Sequence, residues 1–104
     1  MRKSFRTELK KGKPLIGALL QMPLPEAAEI YVTAGYDWLF VDLEHAPMDA
    51  RHAQDILAAV DSRVPCVVRV QWNDEASIKK VLDIGATGVI GPLVNTAEDA
   101  RLAV

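Results

Sequence analysis

The chain has 104 residues, half of them hydrophobic and a quarter charged, with a net charge of −2. That length suffices for one small domain with its own core, and the composition is that of an ordinary soluble globular protein. The charge is unevenly placed, since six of the twelve basic residues (Arg2, Lys3, Arg6, Lys10, Lys11 and Lys13) precede residue 14 with only Glu8 against them.

These residues flank Phe5 and Leu9, which are i,i+4 neighbours. The pattern reads as a short amphipathic helix with a solvated basic face rather than a nucleic-acid arm. Cys66 is the only cysteine, so no internal disulfide can form, which fits a reducing cytoplasm. The apolar stretch "LIGALL" is too short for a signal peptide and is bracketed by Pro14 and Pro23. No stretch approaches the roughly 20 apolar residues of a transmembrane helix. A cytoplasmic protein without nucleic-acid or membrane partners is expected.

The first helix ends at "KKG", with Gly12 as its stop. "PLIGALLQ" (14–21) reads as a buried strand. Pro25 and Glu26 open a helix with Ala27, Ile30, Tyr31 and Ala34 at i, i+3, i+4, i+7, closed by Gly35. "DWLFVDL" (37–43) is the second strand. The next helix has Asp49 as N-cap and Ala53, Ile56, Leu57 and Val60 on one face. "PCVVRV" (65–70) is the third strand. It is followed by a helix with Ile78, Val81 and Leu82 inward and Gly85 as its stop. "GVIGPLV" (88–94) is the fourth strand, and Thr96 caps the last helix, within which the sequence reaches Val104.

Apolar strands joined by helices imply a parallel sheet with covered faces. Two architectures fit: an open doubly wound sheet, or the N-terminal half, about (β/α)4, of a (β/α)8 barrel, which in full needs about 250 residues. Alternation along the strands puts Phe40, Val67 and Leu93 on the face a barrel would turn inward.

In parallel α/β folds functional groups gather at the carboxyl ends of the strands. Asp42, Glu44 and His45 lie at such an end, in "FVDLEHAP" (40–47), as do Arg69, Gln21 and the segment 92–95. A carboxylate beside an imidazole fixes its tautomer and raises its basicity, making a positioned general base. A guanidinium in the same mouth grips a carboxylate in bidentate fashion. That set suits proton abstraction from a small keto acid. Spacing alone leaves a structural reading equally open, with Asp42 capping the loop, Glu44 solvated, His45 in a turn and Arg69 ion-paired to Asp42.

Other candidates are weaker. His52 sits on a helix beside the apolar face and reads as solvated. His45 and His52 lack the i,i+4 spacing of a helical zinc site. Cys66 reads as core. Gly85, Gly88 and Gly91 follow a helix instead of opening one, so they form no dinucleotide fingerprint, and Gly12-Lys13 lacks the Walker spacing. "DLEHAPMDA" also looks superficially like the phosphoacceptor loop of a receiver domain, an open α/β fold. A receiver needs an acidic pair after its first strand, and here no acid appears until Glu26.

"GYDWLFVDLEHAPMD" and "VVRVQWNDEASIKKVLDIGATGVIGPLVNTAEDARLAV" closely resemble the HpcH/HpaI aldolases. The resemblance runs from "FRTELKKGKPLIG" to the last residue. It implies a (β/α)8 barrel, a homo-oligomer (a hexamer in complete members), and reversible metal-dependent aldol chemistry. The reaction it implies cleaves 4-hydroxy-2-keto or 2-keto-3-deoxy acids to pyruvate and an aldehyde. By resemblance His45 is the acid/base, Asp42 its dyad partner, and Arg69 the grip on the pyruvate carboxylate, with Glu44 a further substrate-side residue ordering the metal-water shell. The implied cofactor is a divalent cation, Mg²⁺ or Mn²⁺, with Co²⁺ or Zn²⁺ as alternatives. The family's two carboxylate ligands come from later strands, at positions beyond Val104, and match nothing here. The resemblance therefore implies a partial aldolase domain over 1–104, either a half-site of an enzyme or a half-barrel that is inert alone.

Overall fold

A computed structural model describes residues 4–104; Arg2 and Lys3 of the basic N-terminus lie outside them. In chain order the elements are α1 (Phe5–Lys10), β1 (Gly17–Leu20), α2 (Pro25–Ala34), β2 (Trp38–Asp42), α3 (Ala50–Val60), β3 (Cys66–Arg69), α4 (Glu75–Asp83), β4 (Gly88–Ile90) and α5 (Ala97–Ala103). The punctuation read from sequence sits where expected. Gly35 ends α2 at φ 97°, in the left-handed region that a Cβ disfavours. Asp49 caps α3 by accepting from the amides of Arg51 and His52, and Thr96 caps α5 by accepting from Asp99 N.

Strand order decides between the two architectures. The sheet is parallel and runs β1-β2-β3-β4. A doubly wound sheet reverses direction and carries helices on both faces, and a receiver-like order buries the first strand inside the sheet. Here β1 is an edge. The helices α2, α3 and α4 pack side by side, α2 on α3 and α3 on α4. This is half of a (β/α)8 barrel, and the receiver-like reading falls with the same observation.

The two faces of the sheet differ. On the helix side Leu20, Leu39, Val41, Cys66, Val68 and Val70 join Ala28, Ala53, Ile56, Val60 and Val81 in one buried core. The opposite face carries Leu19, Trp38, Phe40, Val67 and Ile90 by alternation. Leu19 remains 49% exposed there, and Trp38, Phe40 and Ile90 are half-buried. Phe5 of α1 meets Trp38 at a ring-centroid distance of 5.9 Å, and Trp38 meets Phe40 at 6.2 Å. Gly17 leaves room for the indole, since a Cβ there would lie 2.7 Å from Trp38 Cδ2.

Three sequence expectations need correction. The strands are shorter than their apolar runs, most of all β4, which ends at Ile90. Leu93 consequently lies past the strand, at φ 52° and 74% exposed, and not on the inner face. In α2 the buried position is Ala28, while Ile30 is exposed. That helix is apolar on more than one side, so periodicity alone could not choose which side meets the sheet. Leu82 of α4 is likewise about half exposed, with Val81 taking the buried position.

Candidate active site

Asp42 is the last residue of β2 and stands in register with Arg69, the last residue of β3. Adjacent parallel strands thus bring an acid and a base side by side at the carboxyl end of the sheet. The carboxylate is fully buried and has five donors. Oδ1 accepts from Arg69 Nε at 3.0 Å, Glu44 N at 2.9 Å and His45 N at 3.1 Å. Oδ2 accepts from Arg69 Nη2 at 2.6 Å and Gln21 Nε2 at 3.0 Å. Burial alone would raise the Asp42 pKa. The bonds from Arg69, Gln21 and the two loop amides outweigh it and hold the carboxyl well below the usual range. The same pairing with Asp42 raises Arg69 above its already high value.

The pairing uses one edge of the guanidinium. Nε and Nη2 face Asp42, while Nη1 has no partner among the described residues. The Nη1–Nη2 edge is therefore open to a second planar acceptor. Beneath it, the Phe40 ring lies 5.0 Å from Arg69 Cζ. This cation–π contact steadies the guanidinium plane without using a donor.

His45 makes two contacts at the site, of which the backbone one is a hydrogen bond. Its backbone amide bonds Asp42, which fixes the turn after β2. Its ring meets a different acid, with Nε2 lying 3.2 Å from Glu44 Oε1. The same Glu44 oxygen is 3.3 Å from Arg69 Nε. Asp42 is paired with Arg69, as the ion-pair alternative allowed, and meets His45 through the backbone amide, while Glu44 is an acid at contact distance of the ring. The His45 side chain is 66% exposed and the Glu44 side chain 17%, so the imidazole faces the open mouth while its acid is sheltered.

A model of the HpcH/HpaI aldolase/citrate lyase family matches residues 17–104. The chain belongs to that family. Among curated relatives, this member is 41% identical to a 4-hydroxy-2-oxo-heptane-1,7-dioate aldolase of Klebsiella pneumoniae over 100% of its own length and 40% of the relative's. It is 40% identical to the Escherichia coli protein of the same name over the same shares. It therefore spans about two fifths of the relatives it matches. Among solved structures, an HpcH/HpaI aldolase from Desulfitobacterium hafniense superposes with a TM-score of 0.87 at 33% identity, over 96% of this chain and 39% of that one. The citrate synthase SbnG superposes with a TM-score of 0.89 at 29% identity, over 97% and 42%.

The donors in this HpcH/HpaI chain do not by themselves fit a divalent cation. Among the described residues no three His, Cys, Asp or Glu side chains converge. Asp42, the most buried acid, has both oxygens occupied. Val104, past which the resemblance puts the family's metal carboxylates, caps α5 by donating its amide to Ala100 O at 3.3 Å.

Of the other sequence candidates, His52 is not simply solvated: its Nδ1 accepts from Asp49 N at 3.1 Å and completes a capping box. Cys66 is buried core. Gln21 is the residue whose role the sequence reading missed. Extending the β1–β2 register by two residues from Leu19↔Phe40 sets it opposite Asp42, and that was the available signal. Among the described residues no helix is long and apolar enough to cross a membrane.

Proposed function

We propose that this chain carries the keto-acid-binding and proton-transfer part of an aldolase. The enzyme would reversibly cleave a 4-hydroxy-2-keto acid, or a 2-keto-3-deoxy sugar acid, to pyruvate and an aldehyde. The observation that carries the reading is the open Nη1–Nη2 edge of Arg69, at the strand ends and joined through Glu44 to the exposed imidazole of His45.

Each residue then has a task. Arg69 grips the substrate carboxylate end-on and faces the negative charge of the enolate. Asp42, anionic and immobile, holds Arg69 side-on so that the second edge points outward. His45 accepts the proton of the 4-hydroxyl as the C3–C4 bond breaks. The hydroxyl oxygen becomes the aldehyde carbonyl, the bonding pair passes to the pyruvate enolate, and a proton returned to C3 completes pyruvate. A divalent cation, Mg²⁺ or Mn²⁺, would act in such chemistry as the Lewis acid at the enolate oxygen. The tasks assigned to residues 1–104, as one part of an aldolase domain, are binding and proton transfer.

The reading extends to a cytoplasmic homo-oligomer. Half-exposed Leu19 on the inner face supports association, because uncovered apolar surface of this kind seeks a partner. The competing reading is a half-barrel that is catalytically inert by itself. Its support is that Asp42 and Arg69 satisfy each other as a structural ion pair. An aldol assay with pyruvate, an aldehyde and Mn²⁺ or Mg²⁺ separates the two. Turnover that falls about 10²–10⁴-fold in His45→Ala supports the acid–base assignment. Absence of turnover in the unsubstituted chain favours the inert half-barrel.

A further inference from the structure

Segment 92–95 follows β4 at the same end of the sheet as Arg69, with no part in gripping a carboxylate or moving a proton. We propose that Leu93 is a specificity residue, presented by the β4–α5 turn at the mouth of the strand ends to meet the apolar part of a keto acid held at Arg69. The proposal rests on the aldolase reading and deepens it.

Two penalties meet at Leu93. Its backbone takes φ 52°, a left-handed conformation that a Cβ disfavours and that glycine or asparagine adopts more readily. Its side chain is 74% exposed, so burial in the fold does little to offset the strain. The turn has other means of holding its shape. Asn95 N donates to Asp99 Oδ2 at 3.2 Å, and Asn95 Nδ2 donates to Leu93 O at 3.3 Å. Asp99 N donates to Thr96 Oγ1 at 3.1 Å. From the loop after β3, Asn73 Nδ2 donates to Asp99 O at 2.9 Å. Pro92 is buried on the other side. Polar and backbone groups thus pin the turn around Leu93 while the leucine side chain stays in solvent. A strained residue that its surroundings hold in place points to function at that position.

The location fits a substrate contact. Arg69 is in register with Ile90, and Val70 N donates to Ile90 O at 3.1 Å. The end of β4 is therefore level with the residue that carries the guanidinium. Leu93 follows three residues later, at most about 10 Å farther along the chain. A keto acid gripped by its carboxylate at Arg69 has its remaining carbons directed away from the guanidinium, and those that run outward from the strand ends approach this turn.

Titration of the 104-residue chain with pyruvate and with 2-oxopentanoate, followed by NMR, tests the contact alongside thermal unfolding of each variant. A fully buried methylene is worth roughly fourfold in affinity, so wild type should bind 2-oxopentanoate, with two more methylenes, about 4–10-fold tighter than pyruvate. Leu93→Gly should abolish that preference and leave pyruvate binding unchanged. Its melting midpoint should equal or exceed that of wild type, because glycine relieves the left-handed backbone. Leu93→Asn, which also tolerates this backbone, should lose the preference as well, and Leu93→Met should keep it. A preference that survives in Leu93→Gly, or is missing from wild type while pyruvate binds, would overturn the proposal and leave the aldolase reading standing. A midpoint more than about 4 °C below wild type in Leu93→Gly would overturn it too, by showing that the fold itself uses the side chain. Binding of neither keto acid to wild type would overturn it together with the aldolase reading.

Discussion

Replacing Asp42 by Asn keeps the shape of the side chain and removes its charge. The consequence follows from the five bonds. An amide can present oxygen to only one side. Its nitrogen would then face donors, either Arg69 Nη2 and Gln21 Nε2 or Arg69 Nε with the two loop amides. Breaking a buried ion pair by removing one partner costs about 3–5 kcal/mol. Arg69 keeps a side-chain exposure of 24% and can recover part of its hydration, so the lower end applies, on the order of 3 kcal/mol. For a domain of this size each kcal/mol moves the midpoint by about 4–8 °C, giving a fall of about 12–24 °C. Thermal unfolding at neutral pH, followed by circular dichroism, measures it. The double variant with Arg69→Leu should lose less than the sum of the single losses, because each single change strands the other group. An Asp42→Asn midpoint within about 2 °C of wild type, well inside one kcal/mol on the same scale, would refute the account of the pair.

Further outcomes follow from the same structure. Because the Asp42 pKa is depressed in the folded state, its stabilisation is present above the unfolded carboxyl value of about 3.9 and is lost as pH falls through the folded value. Wild type should therefore lose stability in acid more steeply than Asp42→Asn, as a melting series across that range would register. Gly17→Ala drives a Cβ into the Trp38 indole and should cost about 1–3 kcal/mol; an unchanged melting midpoint would mean the indole has room to move. Arg69→Lys should not restore keto-acid binding lost in Arg69→Leu, since an ammonium cannot hold Asp42 and a substrate carboxylate on two edges; calorimetric titration with pyruvate compares them. Residues 1–104 alone should bind Mn²⁺ weakly, given that no donor triad forms among the described residues; micromolar affinity by electron paramagnetic resonance would reveal a site assembled in another way.

The fold was legible because its signals are local. Pro25, Gly35, Asp49, Gly85 and Thr96 each act on their own backbone, and the structure places each at an element boundary or immediately beside one. Strand order was not legible in periodicity, because open and closed sheets share the same apolar strands and differ only in which edges pair; the family resemblance supplied the barrel order that the sheet has. The side of α2 that is buried was hidden by its second apolar face. At the site, alternation and chain order sufficed to bring Asp42, Arg69, Glu44 and His45 together. Which partner each takes stayed among alternatives, the Asp42–Arg69 ion pair being one, since the choice depends on a register between strands 27 residues apart and on how many donors one carboxylate can hold. Gln21 shows the same limit: it ends an apolar strand, and only the β1–β2 register reveals that it meets Asp42.

The central claim is that Arg69, held side-on by Asp42, offers its other edge to a keto-acid carboxylate beside His45. NMR of the guanidinium and imidazole nitrogens during a pyruvate titration tests it most directly. Saturable shifts at Arg69 Nη1 and at the His45 ring, absent in Arg69→Leu, are the predicted result. A titration that leaves Arg69 still, or shifts that persist in Arg69→Leu, would contradict it.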